Sequence, residues 1–332
     1  MNTRNFTGWL LAAALALTLC STAQAAGKKT IGMVFKVLNN AFTPPLQQGC
    51  AQAAKDLGVE CIFVGPTEYN EAQEVQMLQD MIQRGVDGLA VSAANPKAMA
   101  KALQQAKDKG IPVVMFDSDV LAEDRGVRLT FIGTDNYSFG AELAKAVLAT
   151  KKSGGTVCIQ SGAAASLNLN ERVQGIRDTL AGVAKDKTVK RLNGQNGWSE
   201  PSGCPVYNND DVRLAAQQVN DVFTSEPKLS AFVAVGGWAQ YAPEAYKKAV
   251  ELQKDRVASK DLVISFGDNF APQMPLLKAG LSHFNIGQRP YDMAYAAVKS
   301  LVDVWAGKKL PPMITTGFEI CTPDMADTCG KK

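Results

Sequence analysis

Short apolar runs and stretches of helical periodicity alternate along almost the whole chain. Residues 31–37 read as a strand. After them Leu46, Cys50, Ala53 and Leu57 recur at helical spacing, with Thr43 as N-cap, Pro44 at the first helical position and Gly58 as the stop. Strands are predicted at 61–64, 88–92, 112–116 and 129–133, with helices at 71–84 and 97–109 among them. A second series follows, with helices at 138–151, 171–181, 210–224, 243–252, 274–279 and 290–305. Its strands are predicted at 156–160, 188–192, 231–235, 262–266 and 282–286. Strands this short, continuous and apolar belong in parallel sheets covered on both faces. The expected fold class is α/β, with two doubly wound parallel-sheet lobes side by side. Residues 193–209 break the rhythm as one long irregular stretch, where Trp198, Tyr207 and Cys204 favour an ordered loop.

Length agrees with two units, since 332 residues exceed the roughly 100–200 of an ordinary domain. Hydrophobic residues at 46% and charged residues at 20% exclude disorder, a fibrous repeat and a polytopic membrane protein. A net charge of +3 is too near balance for a nucleic-acid footprint. His283 is the single histidine, so chemistry that depends on imidazole has little to work with.

Residues 1–25 read as a secretory leader. Arg4 supplies the positive start, an apolar run follows over 9–19, and Ala23-Gln24-Ala25 gives a small-x-small cleavage pattern. The run is shorter than the roughly 20 residues a spanning helix needs, so cleavage after about Ala25 and export are expected. Cys20 leaves with the leader. Six cysteines remain, Cys50, Cys61, Cys158, Cys204, Cys321 and Cys329, and an even count in an exported chain favours disulfides. Cys50 pairs most naturally with Cys61, because the helix after the first strand lies beside the second. Cys321–Cys329 would clip the tail, which leaves Cys158 and Cys204 either paired or as buried thiols. No CxxC and no nearby histidine accompanies them, so no metal site is expected.

In open α/β sheets, ligands bind beyond the carboxyl ends of the strands. The residues there are Asn39, Asn40 and Phe42; Asn95; Asp117, Ser118 and Asp119; Asn168, Asn170 and Arg172; Gly236, Gly237 and Trp238; Asp268 and Asn269; and Gln288 with Arg289. Amides and carboxylates in such numbers suit vicinal hydroxyls, and aromatic faces suit the C–H face of a sugar ring. Singly, Asn and Asp at these positions are as readily explained as caps and turns. Repetition at strand after strand is what points to a ligand. No phosphate-binding loop, dinucleotide fingerprint or nucleophile elbow is present. Asp117 and Asp119 stand two apart and would share a face, whereas a glycosidase pair must flank the bond.

The chain resembles the periplasmic sugar-binding proteins of the ribose and galactose type over essentially all of residues 29–320. The resemblance is carried by Asn39-Asn40-Ala41-Phe42, Arg84-Gly85-Val86-Asp87-Gly88-Leu89, Ile111-Pro112-Val113-Val114 through Asp117, Gly133-Thr134-Asp135-Asn136, and Gln288. It implies the type I periplasmic binding fold, two lobes joined by three crossing strands near Asp135, Gln288 and Thr316. Lobe 1 is then 28–134 plus 289–315, and lobe 2 is 135–288 plus 316–332. Family ligand positions fall on Asn40, Phe42, Asp117, Asp268 and Gln288. A family arginine matches Asn170, with Arg172 close by; Ser118 stands where the ribose binder has another arginine. Gly236-Gly237-Trp238 replaces a common Asn-Asp pair. These departures imply a ligand other than ribose, with Trp238 or Trp198 stacking opposite Phe42.

The resemblance further implies a periplasmic, monomeric, non-enzymatic receptor for a small carbohydrate or polyol, without a cofactor. Its partner would be the membrane permease of an ABC-type importer, or alternatively a chemoreceptor or sensor kinase. A transcriptional repressor shares this core, but here a leader stands where its DNA-binding segment would be.

Overall fold

The structure, a computed structural model, describes residues 27–330. The leader over 1–25, its cleavage position and Cys20 lie outside the described residues. Chain order runs β1 (Thr30–Val34), α1 (Thr43–Leu57), β2 (Glu60–Val64), α2 (Glu71–Arg84), β3 (Gly88–Val91), α3 (Pro96–Asp108), β4 (Val113–Phe116) and β5 (Phe131–Gly133). There follow α4 (Asn136–Thr150), β6 (Gly155–Ser161), α5 (Leu167–Ala181), β7 (Trp198–Ser199), β8 (Val206–Tyr207), α6 (Val212–Ser225), β9 (Ala231–Ala234), α7 (Pro243–Glu251) and α8 (Lys254–Ala258). The chain closes with β10 (Val263–Gly267), α9 (Met274–Lys278), β11 (Phe284–Gly287), α10 (Pro290–Trp305), β12 (Met313–Thr315) and β13 (Glu319–Cys321).

Two sheets form. The first has the order β12-β5-β4-β3-β1-β2 and is parallel throughout. The second runs β13-β11-β10-β9-β6, with β7 and β8 both pairing the free side of β6. Only β13 is antiparallel. The two sheets define two α/β lobes, each a continuous apolar strand set covered by helices. The chain passes from the first sheet to the second after β5, returns between β11 and α10, and passes over again between β12 and β13. In the first lobe, apolar clusters cover both sheet faces, one around Ile31, Phe116 and Leu301 and one around Val34, Leu89 and Leu103. The second lobe has one large cluster around Phe232, Ile264 and Trp198.

Helices α4 and α5 approach closely enough for glycine to be required. A Cβ at Gly140 would strike the backbone of Arg172, and one at Gly175 the carbonyl of Tyr137. This contact sets the position of α5 and therefore of its first-turn side chains. The bonded cysteines are Cys50–Cys61, Cys158–Cys204 and Cys321–Cys329, with Cα separations of 5.9, 5.3 and 6.1 Å. Cys158–Cys204 ties the 193–209 stretch to β6, and that stretch is ordered through β7 and β8.

Three local expectations are corrected. No strand forms over 188–192, because side-chain carboxylates take its amides: Asp178 accepts from Val189 N at 2.7 Å and Glu200 from Leu192 N at 2.9 Å. Phe42, not Thr43, is the N-cap of α1; the Thr43 hydroxyl instead donates to the Val37 carbonyl at 3.0 Å. Helix α5 begins at Leu167, four residues before the expected 171, so Asn168 and Asn170 sit in its first turn.

Candidate functional site

The carboxyl ends of both sheets face one cleft between the lobes. At matched places, just after β4 and β10, Asp117 and Asp268 adopt left-handed backbone with φ of 56° and 67°. Left-handed aspartate is uncommon, and such conformations persist where the surroundings over-determine them, often at ligand sites. Each carboxylate therefore turns out of its strand, one from either lobe.

Asp117 is held by three donors. Lys36 Nζ lies 2.9 Å and the Ser92 hydroxyl 2.8 Å from Oδ2, and Asn168 Nδ2, from the opposite lobe, lies 3.4 Å from Oδ1. Asp268 accepts from Gly237 N at 2.9 Å, the Tyr241 hydroxyl at 2.6 Å and Gln288 Nε2 at 2.9 Å. Gln288 passes the network on, since its Oε1 accepts from Arg172 at 2.5 Å and from the Thr134 hydroxyl at 3.3 Å. Thr134 and Gln288 stand in the first two crossings, so the site's hydrogen bonds run into the hinge. Arg172 also donates to Asn136 Oδ1 and the Val235 carbonyl, both at 2.9 Å, and lies over the Phe139 ring.

Electrostatics follow burial. Desolvation lowers the Arg172 pKa, opposed chiefly by Asp268 and then Asp117. The Tyr241 hydroxyl is pushed well above its ordinary value by burial and by Asp268. Behind Lys36, Glu74 is pushed up to about 8 by burial, although Ala94 N donates to it at 3.0 Å. Burial likewise raises Asp210, against the pull of Lys36. The lobes touch directly here: the Ser166 hydroxyl donates to the Ala94 carbonyl at 2.9 Å, and Phe42 meets Phe270 edge-on at 5.9 Å between centroids. Side chains nearly fill the cleft and leave about 40 Å³. This is a closed arrangement.

Of the expected site residues, the cleft brings together Asn40, Phe42, Asp117, Asn168, Arg172, Trp238, Asp268 and Gln288. It leaves out two. Asn170 is exposed and donates to the Ala164 carbonyl at 2.8 Å, because the earlier start of α5 turns it outward while Arg172 points in. Trp198 is fully buried in the second-lobe core on β7 and does not line the cleft. Asp119 also faces elsewhere, held by Arg128 through two bonds of 2.7 and 2.6 Å. Sequence reasoning missed Lys36, Asp210 and Tyr241, which line the cleft as well. Lys36 had a signal, as a charge inside the apolar run 31–37. Asp210 and Tyr241 had none that local pattern could separate from a helix start and a turn. His283 is structural: its Nδ1 accepts from Ile264 N, its other nitrogen faces the Val257 carbonyl, and burial lowers its pKa. Among the described residues, the one cluster of metal-type ligands is Glu319, Cys321 and Cys329, whose sulfurs are bonded to each other.

A family profile described as a periplasmic binding protein domain matches residues 31–309. The ribose import binding protein of Bacillus subtilis is 29% identical over 294 residues, covering 88% of this chain and 87% of that one. A D-ribose/D-allose-binding protein of Pseudomonas aeruginosa is 31% identical over 281 residues, covering 79% and 86%. Among solved structures, a solute-binding protein of Burkholderia graminis in complex with D-arabinose superposes with a TM-score of 0.78 at 27% identity, covering 92% of this chain and 98% of that one.

Proposed function

Because the chain belongs to the periplasmic binding proteins, as a type I sugar-binding protein of the ABC-importer kind, we propose that it captures a monosaccharide or polyol between its lobes and presents the closed form to a membrane permease. The observation that carries this is the pair Asp117 and Asp268, left-handed at matched strand ends and facing one cleft from opposite lobes. Each can accept from two ring hydroxyls once its present donors shift, and Asn168 and Gln288 can both donate and accept. Phe42 and Trp238 offer apolar faces to the C–H side of a ring.

The mechanism is differential binding. A ligand touching both lobes only when they close shifts an open–closed equilibrium, and the three crossings are the hinge. Export to the periplasm, with removal of residues 1–25, fits the three disulfides, which persist in oxidising compartments. A binding role without turnover is supported by Asp117 and Asp268, each locked by several donors rather than poised beside a nucleophile, and by relatives named as binding proteins.

A thermal-shift screen across pentoses, hexoses, polyols and inositols tests the proposal. At least one is expected to raise Tm by several degrees, at a concentration well above Kd. A full panel without a shift refutes it.

A further inference from the structure

Three carboxyl groups line the cleft, and two of them are fully engaged by protein donors. The third, Asp210, is 8% exposed, and its Oδ2 has no hydrogen-bond partner. Trp238 lines the same cleft beside it. Gly162 lies against both groups, since a Cβ there would come 3.0 Å from Asp210 Oδ1 and 3.0 Å from the Trp238 ring. Asn209 and Asp210 are both left-handed, with φ of 50° and 60°. Asn208 Oδ1 braces the turn by accepting from Asp210 N at 2.9 Å.

Helix α6 does not need this carboxyl. Its N-cap is Asp211, whose Oδ1 accepts from Arg213 N at 2.8 Å and Leu214 N at 3.0 Å. Nor does charge balance require it: Lys36 is paired with Asp117, and the Arg172 charge is met chiefly by Asp268. A buried acceptor with no partner costs stability, and two consecutive left-handed residues add to that cost. Asp210 also lines both the closed cavity and the groove at its mouth, beside Asn40 and Tyr241. An outlay with no structural return, aimed into the cleft, is what a ligand contact looks like.

We propose that Asp210 is a specificity-determining ligand residue, accepting a hydrogen bond from a hydroxyl on the part of the sugar that lies against Trp238. The proposal rests on the sugar-binding reading above. A carboxyl so placed rejects an analogue lacking that hydroxyl, because the acceptor would then stay buried and unpaired.

Calorimetry tests it with D-ribose, D-allose, D-arabinose and D-galactose, and with the deoxy counterparts 2-deoxy-D-ribose and D-fucose. For the sugar that wild type binds most tightly, Asp210→Ala is expected to weaken Kd by roughly 10–100-fold. Asp210→Asn, which keeps an acceptor, is expected to lose less. Asp211→Ala serves as the structural control, lowering Tm through loss of the helix cap while Kd stays put. An Asp210→Ala affinity within threefold of wild type overturns the proposal and leaves the sugar-binding reading standing. Wild type binding none of these sugars, nor any member of the wider screen, overturns both.

Discussion

Lys36 and Asp117 show how a residue proposed to bind ligand is also a structural one. Both are almost fully buried and sit 2.9 Å apart, so removing one leaves the other as an uncompensated charge. Breaking such a pair typically costs about 3–5 kcal/mol. Asp117→Ala is therefore expected to abolish the ligand-induced thermal shift and also to lower sugar-free stability by about 3 kcal/mol, measured by urea unfolding. Lys36→Met added to Asp117→Ala should recover most of that stability and none of the binding. If the single variant unfolds like wild type, the buried pair is not what holds this corner together. Neither Lys36 nor Asp210 was singled out from sequence, because a single charge in an apolar run and an aspartate before a helix each have an ordinary local explanation.

At the scale of elements, the first turn of α2 is fastened to the connection after β3 by one buried acid. Glu74 accepts from Ala94 N, and Ala94 in turn accepts from Ser166 of the other lobe through its carbonyl. Burial raises the Glu74 pKa to about 8. The folded state therefore holds a proton that the unfolded chain releases near the ordinary carboxylate value. The stability this contributes is complete in acid and is lost as pH rises through the folded pKa. Wild-type unfolding free energy is expected to fall between about pH 5 and about pH 9. Glu74→Gln, which keeps the acceptor for Ala94 N, should flatten that decline; identical slopes for the two proteins would show that Glu74 does not carry it. The helices themselves were largely legible from apolar spacing. The early start of α5 was not, because Leu167–Asn170 offers little periodicity and its placement follows from packing on α4 at Gly140 and Gly175.

For the whole molecule, the link between Gln288, Arg172, Asp268 and Thr134 joins the cleft to two of the three crossings. A ligand that displaces these bonds acts on the hinge directly, so binding and closure are one equilibrium. Small-angle scattering is expected to give a larger radius of gyration for the sugar-free protein than for the protein saturated with its sugar, whose curve should match the closed arrangement. Equal radii with and without a bound sugar would count against hinge closure as the mechanism.

The alternation of apolar runs and amphipathic stretches was enough, by itself, to establish two α/β lobes and the strand ends where a ligand would sit. It also favoured the cysteine pairs, because each of these features is written in spacing along the chain. Tertiary structure alone decided which side chains converge. Trp198, an apparent stacking partner, went into the core on β7, while Tyr241 and Asp210 came into the cleft. Asn170 turned away and Arg172 turned in, two residues apart on one helix. The cleft is assembled from both lobes, so its members lie far apart in sequence. Local periodicity tells each residue which face of its own element it occupies, and says nothing about what stands opposite.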